Sequence, residues 1–133
     1  MATAGLILIG NELLSGKIED LNGAYLIRRL RGLGVDLQRV VVIPDIVAVI
    51  EDEIRRFSAA FDYVFTSGGV GPTHDDVTMQ AVAKAFDTQL SRNAQLAQII
   101  TAHFLDRTTE AHLSMAYLPP QTVLLTGGEI AWP

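Results

Sequence analysis

Residues 67–76 of this chain, Ser-Gly-Gly-Val-Gly-Pro-Thr-His-Asp-Asp, combine three glycines with hydroxyl and carboxylate side chains. Glycine lets the backbone approach a ligand closely, so the N–H groups around Gly68, Gly69 and Gly71 can face an anion. Ser67 and Thr73 add hydroxyls to the same turn. The stretch predicts a phosphate-binding turn, and the alternative is that its glycines only connect a strand to a helix.

Four carboxylates fall in this turn and in two further loops of the sequence. Asp75 and Asp76 belong to the turn itself, Asp45 follows a predicted strand, and Glu12 lies in a loop near the amino terminus. Carboxylates repel a neighbouring phosphate unless a divalent cation bridges them, and hard cations prefer oxygen ligands. The sequence therefore predicts a site for Mg²⁺ or a similar ion.

Some of these acids also have a purely structural interpretation. Asp45 precedes a helical pattern and fits the position of a helix cap, while Thr73 with Asp76 fits a capping box. A functional role is favoured because the loops at the carboxyl ends of parallel strands meet at one edge of a sheet, which would bring these four carboxylates together.

The loop at residues 10–16, Gly-Asn-Glu-Leu-Leu-Ser-Gly, leaves the first predicted strand and reaches the same edge. It adds an amide, a carboxylate and a hydroxyl to the expected site. We expect four of its residues to contact the ligand: Gly10, Asn11, Glu12 and Ser15.

Three predicted strands and three helical patterns alternate along the first two thirds of the chain. The strands are residues 5–9, 36–43 and 63–66, which are rich in branched and aromatic residues. Apolar residues recur at helical spacing after each strand, as in Ile46, Ile50, Ile54 and Phe57. This alternation predicts an α/β fold with a parallel sheet.

The rest of the chain is less regular. We predict helices at residues 94–105 and 109–117 and a strand at residues 122–125. No repeat or linker is evident, so residues 1–133 are assigned to a single domain. The chain stops at Trp132 and Pro133 directly after an apolar turn, which suggests a domain cut from a larger protein.

Composition excludes several classes of function. The formal net charge is −5 with no compensating basic stretch, which argues against nucleic acid as a partner. No apolar run is long enough to span a bilayer, and no signal peptide is evident, so neither a membrane partner nor secretion is expected. The chain has no cysteine, which excludes disulfides and fits a cytoplasmic protein.

Two stretches of the sequence resemble the signatures of the molybdopterin-binding domain family. They are residues 10–16, followed by Asp20 and Asn22, and residues 66–78. The resemblance is clear over residues 1–87 and looser to residue 133. It implies a three-layer α/β/α sandwich with a mostly parallel sheet, and a homo-oligomer, either a dimer or a trimer.

The resemblance also implies a function, with two branches. In the molybdenum-cofactor branch the domain binds molybdopterin, a phosphorylated pterin, during cofactor biosynthesis. In the branch of competence/damage-inducible protein A, similar domains hydrolyse nucleotide pyrophosphates such as ADP-ribose with a divalent metal. Val70 stands where the cofactor branch usually has threonine, which favours the competence-protein branch. A third alternative is a binding module without turnover.

The functional positions of the family match residues that were already candidates from the loop sequences alone. The acidic pair of the family, which is implied to be catalytic and to hold the metal, matches Asp45 and Asp76. Its phosphate-binding turn matches four residues: Ser67, Gly68, Gly69 and Gly71.

Overall fold

A three-stranded parallel sheet forms the centre of the protein. The computed structural model describes residues 1–127, and its sheet consists of β1 (Thr3–Ile9), β2 (Asp36–Ile43) and β3 (Tyr63–Ser67) in the order β2-β1-β3. In the middle strand, Leu6 and Ile7 are completely buried although they point to opposite faces. Residues 4–9 of this strand carry no polar side chain and are all buried, as expected for a strand with helices on both of its faces.

Helices connect the strands and continue beyond them. Their bounds are α1 (Asn11–Leu14), α2 (Asn22–Gly32), α3 (Val47–Ala60), α4 (Thr78–Ala85), α5 (Ala94–Phe104) and α6 (Glu110–Ser114). Two short strands, β4 (Ser91–Arg92) and β5 (Tyr117–Leu118), form a separate antiparallel pair. Among the described residues, no helix combines the length and apolar character that a bilayer crossing needs.

The two faces of the sheet are covered by different helices. On one face, Ile7 and Ile9 pack with Ile50 and Phe57 of α3 and with Ala81 of α4. On the other face, α2 approaches so closely at Gly23 that a β-carbon there would lie 3.0 Å from Leu8 Cδ1. The predicted three-layer α/β/α arrangement with a parallel sheet is confirmed.

A second, smaller apolar cluster lies in the C-terminal region. Ile100 of α5 is completely buried against Ala116 and Leu118. The Asn93 side chain begins α5 by accepting a hydrogen bond of 2.9 Å from the Leu96 N–H. This region therefore has its own packing centre, which joins the sheet through contacts between α4 and β5.

The prediction of a strand at residues 122–125 is wrong. This segment has no strand partner within the described part of the chain, and Val123 and Leu125 are 79% and 75% exposed. A short segment such as Thr-Val-Leu-Leu does not form a strand without a neighbouring strand to complete its hydrogen bonds. The predicted helix at residues 109–117 is also shorter, ending at Ser114, and Trp132 and Pro133 lie outside the described residues.

Candidate functional site

The loops that follow β1, β2 and β3 enclose a cavity of about 460 Å³ at the carboxyl edge of the sheet. Acids from all three loops line it, together with amide and hydroxyl groups. Its lining residues are Asn11, Glu12, Ser15, Lys17, Asp45, Gly69, Thr73, Asp75 and Asp76. A shallow depression along α5 is larger, about 650 Å³, but no carboxylate lines it. Chemistry therefore identifies the loop cavity as the candidate site.

Asp45 and Asn11 fasten the first loop to the second. The Asn11 N–H donates to Asp45 Oδ2 at 3.0 Å, and the Asp45 N–H donates to Asn11 Oδ1 at 3.3 Å. The Gly10 N–H adds a bond of 3.0 Å to the carbonyl of Ile43, the last residue of β2. One carboxylate oxygen of Asp45 is thus committed to the scaffold, and the side chain still lines the cavity.

The interpretation of Asp45 as the cap of its own helix is wrong. Ile46 occupies the N-cap position of α3, and no side chain hydrogen-bonds to the start of that helix. The Asp45 carboxylate instead bonds the first residue of α1, which lies 34 positions earlier in the chain. The preference of aspartate for helix N-termini could not reveal this hydrogen bond, because the N–H that Asp45 accepts belongs to a different loop.

Gly68 and Gly69 allow the third loop to turn sharply over the end of the sheet. Their φ angles are +100° and +70°, a region that side chains with a β-carbon rarely adopt. A β-carbon on Gly68 would collide with the carbonyl oxygen of Ile9, and one on Gly69 with the Thr78 hydroxyl. The buried Thr78 hydroxyl donates to the Gly68 carbonyl at 2.8 Å, so the first residue of α4 fixes this turn.

Asp76 closes a turn within the third loop. Its Oδ2 accepts bonds from the Thr73 N–H at 3.0 Å and the Thr73 hydroxyl at 2.7 Å. Partial burial raises the pKa of Asp76, but the Thr73 hydroxyl and the N–H groups of Thr73 and Gly71 outweigh burial, so its pKa lies below the ordinary value. The carboxylate is therefore ionised at neutral pH.

The capping-box interpretation of Thr73 and Asp76 is also wrong. The helix that follows begins at Thr78, its N-cap position is Val77, and no side chain caps it. The hydrogen bonds between Thr73 and Asp76 have the spacing of a capping box but stabilise a loop turn instead. The sequence pattern cannot separate the two, since both use the same spacing of three residues.

The structure brings together eight of the twelve residues singled out from the sequence. Those lining the cavity are Asn11, Glu12, Ser15, Asp45, Gly69, Thr73, Asp75 and Asp76. The other four lie beside it: Gly10 and Gly68 support the backbone, the Ser67 hydroxyl accepts a bond of 2.9 Å from the Asn22 amide, and Gly71 borders an adjoining hollow.

Sequence reasoning missed Lys17. It is the only basic residue among those that line the cavity, and it follows Gly16 at the end of the first loop. A cation opposite several carboxylates can contact a ligand phosphate directly. The position of Lys17 directly after the loop at residues 10–16 was the feature of the sequence that could have identified it.

The donor set is suited to a hard divalent cation completed by a ligand. Among residues 1–127, no three Asp, Glu or His side chains form a group that could hold a metal by themselves. Mg²⁺ is usually held by one or two carboxylates together with substrate phosphates and water, so a closed protein cage is not required. Asp45 and Asp76 each keep one carboxylate oxygen outside the hydrogen bonds to Asn11 and Thr73.

Comparison with known proteins supports the resemblance seen in the loops. The chain is 43% identical over 98 residues to a protein of Caenorhabditis briggsae named probable FAD synthase, covering 74% of this chain and 19% of that protein. It is 34% identical over 136 aligned residues to a CinA-like protein of Mycolicibacterium gilvum, covering 93% of this chain and 32% of that one. The chain thus spans a third or less of the length of these curated relatives.

A solved structure gives the same result. The CinA protein of Thermoplasma acidophilum, described as having unknown function, matches with a TM-score of 0.84 at 31% identity, over 90% of this chain and 71% of that one. Residues 5–128 match the family described as a probable molybdopterin binding domain. With the fold, the loop motifs and this match in agreement, the chain belongs to the molybdopterin-binding domain family.

Proposed function

We propose that the loop cavity binds the phosphate groups of a phosphorylated pterin, such as molybdopterin, or of a related nucleotide. The observation that carries this proposal is the shared lining of one 460 Å³ cavity by Asp45, Asp76, Gly69 and Lys17, which come from three separate loops. A ligand of this kind connects the domain to the biosynthesis or handling of the molybdenum cofactor. The family description supports the pterin as ligand.

Charge determines how such a ligand would be held. Four carboxylates and one lysine line the cavity, so a phosphate entering alone meets net repulsion. A divalent cation would be held by Asp45 and Asp76 and would supply the positive charge that a phosphate needs. Lys17 then contacts the outer phosphate oxygens, while the N–H groups of the Gly69 turn hydrogen-bond to the ligand.

Calorimetric titration of the protein with ADP-ribose, once in the presence of Mg²⁺ and once in EDTA, measures the binding affinity and tests this proposal. We expect binding only with Mg²⁺, and about a tenfold or greater loss, roughly 1.4 kcal/mol or more, in Asp45→Asn. Asparagine keeps an oxygen that can accept the Asn11 N–H bond, so the fold should persist.

Asp52→Asn is the matched control. Asp52 lies on α3 in an exposed ion pair with Arg56, with its oxygen 3.0 Å from Arg56 Nη2, and does not line the cavity. We expect this variant to bind like the wild type. Equal binding by Asp45→Asn and the wild type, or full binding in EDTA, contradicts the proposal.

A second candidate is the hydrolysis of a nucleotide pyrophosphate at the same site. The placement of Asp76 in the cavity lining favours it, because an ionised carboxylate there can orient a water molecule toward phosphorus. The relative named probable FAD synthase is likewise named for a product with a pyrophosphate linkage. The bound divalent cation would supply charge stabilisation to the phosphoryl oxygens.

Release of AMP from ADP-ribose with Mg²⁺, Mn²⁺ or Co²⁺ distinguishes the two candidates. Release that disappears in Asp76→Asn supports hydrolysis. Binding without release supports a module that holds or transfers the ligand. The expected dimer or trimer and the cytoplasmic location stay predictions.

A further inference from the structure

The outer edge of β2 is unpaired in the described part of the chain. β2 lies at one end of the sheet order β2-β1-β3, and residues 1–127 contain no strand that pairs with its outer side. At eight residues, β2 is also longer than β1 and β3. An unpaired strand edge carries a row of N–H and C=O groups that can pair with another strand. A further strand can therefore be added at this edge.

The backbone groups of Val40 and Val42 point away from the sheet. The N–H and C=O of one strand residue point to the same side, and successive residues alternate. The Ile43 carbonyl accepts the Gly10 N–H at 3.0 Å and so faces β1. Val41 faces β1 as well, whereas Val40 and Val42 face outward. Within residues 1–127, no hydrogen bond engages the N–H or C=O groups of these two outward-facing residues.

The side chains along this edge are apolar and incompletely covered. Val40 and Val42 are 39% and 40% exposed. Ile27 of α2 lines the same depression of about 550 Å³ as Val40 and is 45% exposed. Long edge strands are usually protected by charged residues or proline, but residues 40–43 contain neither. This part of the edge therefore favours association with another strand.

A second copy of this chain supplies the strand that the edge requires. A matching strand must place apolar side chains at alternating positions without a charge between them, and β2 itself has that sequence. Two antiparallel β2 strands are related by a two-fold axis, so each copy makes the same contacts. With the axis at Val41, Val40 of each copy opposes Val42 of the other. Both opposed pairs can then exchange N–H and C=O hydrogen bonds, and their side chains meet across the junction.

Neighbouring registers fit less well. An axis at Arg39 places the Arg39 side chains of the two copies directly opposite each other, and opposed like charges destabilise a sheet. An axis at Val40 pairs Val42 with Gln38, the residue that is skipped in the pairing of β2 with β1. The sequence of the edge therefore selects the register that is centred on Val41.

We propose that two copies of this chain associate through β2, so that their three-stranded sheets form one continuous sheet with a two-fold axis at Val41. Because the pairing is antiparallel, the two acidic cavities lie at opposite edges of the joined sheet. None of residues 39–43 lines the acidic cavity. The inference is therefore independent of the proposed function.

Sedimentation of the full chain from about 1 μM to about 1 mM tests this interface. We expect a monomer–dimer equilibrium, and at least about a tenfold weaker dimer in Val40→Lys, because the ammonium group would lie against an apolar strand. Val40 is partly exposed, so the monomer should keep its fold. Val123→Lys is the matched control, since Val123 is 79% exposed and lies outside β2; it should dimerise like the wild type.

A single cysteine substitution tests the register. The chain contains no cysteine, so a disulfide in Val41→Cys can only join two copies. Across the proposed axis, residues at position 41 form a non-hydrogen-bonded pair with Cα atoms about 4.5 Å apart, which a disulfide can span. We expect mild oxidation to give a covalent dimer of Val41→Cys much faster than of Val123→Cys.

Several results would overturn the interface. They are a wild-type chain that stays monomeric at about 1 mM, a trimer, or a folded Val40→Lys protein that dimerises like the wild type. Equal rates of cross-linking in Val41→Cys and Val123→Cys overturn it as well, and this comparison decides the question even where Val40→Lys does not fold. The proposed function is tested separately by ligand binding.

Discussion

The sheet region, residues 3–86, and the C-terminal region, residues 91–118, differ in the size of their cores and in the length of their strands. In the sheet region, parallel strands of five to eight residues pack with α3 and α4 around the fully buried Phe57. In the C-terminal region, strands of two residues and the helices α5 and α6 surround a cluster of five buried residues. The first region has the larger core and the longer ladders.

The chemistry follows the same division. All the acids of the candidate site come from loops of the sheet region, where hydrogen bonds between loops fix Asp45. Met115 and Tyr117, which line the hollow that borders Gly71, come from the C-terminal region. Because its buried cluster is smaller, we expect the C-terminal region to open more readily than the sheet region that carries the acids.

Truncating the two cores tests this division most strongly. Phe57→Ala removes a fully buried ring, and we expect a loss of about 3–5 kcal/mol in the free energy of unfolding. Hydrogen exchange should then accelerate in both regions, because the sheet supports the rest. Ile100→Ala, at an equally buried position, should accelerate exchange mainly in α5 and α6. Equal acceleration of β1 in both variants would show one cooperative unit.

Gly68→Ala tests the junction between the sheet and the phosphate turn. The φ of +100° and the overlap with the Ile9 carbonyl predict a loss of about 2–4 kcal/mol, measured by urea denaturation. Gly32→Ala is the control, since nothing lies within 4 Å of a β-carbon at the end of α2. That variant should be as stable as the wild type or slightly more stable. A Gly68→Ala protein of unchanged stability would refute the close approach.

The smallest expected effect concerns a link at the opposite edge of the sheet. Asp62 Oδ2 accepts bonds from the Thr3 N–H at 2.8 Å and the Thr3 hydroxyl at 3.0 Å, and these bonds lower the pKa of Asp62 below 3.8. Its stabilising contribution is therefore present above about pH 4 and is lost as pH falls through the lower pKa of the folded state.

Asp62→Asn should reduce the dependence of the free energy of unfolding on pH in the acidic range. Urea denaturation at about pH 5 and about pH 2.5 should give a smaller difference in stability for the variant than for the wild type. Asp106→Asn, at another exposed aspartate, should keep the difference of the wild type. A profile of Asp62→Asn identical to that of the wild type would mean that the Thr3 bonds are not maintained in solution.

The two regions also differ in how well their structure could be predicted from the sequence. The strand at residues 36–43 is found with the predicted bounds, because β1 pairs with it from Asp36 to Ile43. Residues 122–125 also contain branched apolar residues, but they have no partner strand in the described part of the chain and form no strand. Amino-acid composition indicates whether a segment can form a strand, but pairing with a neighbouring strand determines whether the strand forms.

The sequence by itself determined the alternation of strands and helices, and with it the edge at which the loops of Asp45 and Asp76 meet. Periodic apolar residues and glycine turns are local features, so they can be identified without the fold. Only the tertiary structure decided what each side chain binds: Asp45 accepts an N–H from another loop rather than from its own helix, and Lys17 lines the cavity. Hydrogen bonds between distant segments depend on how the chain closes in space, which no local pattern records.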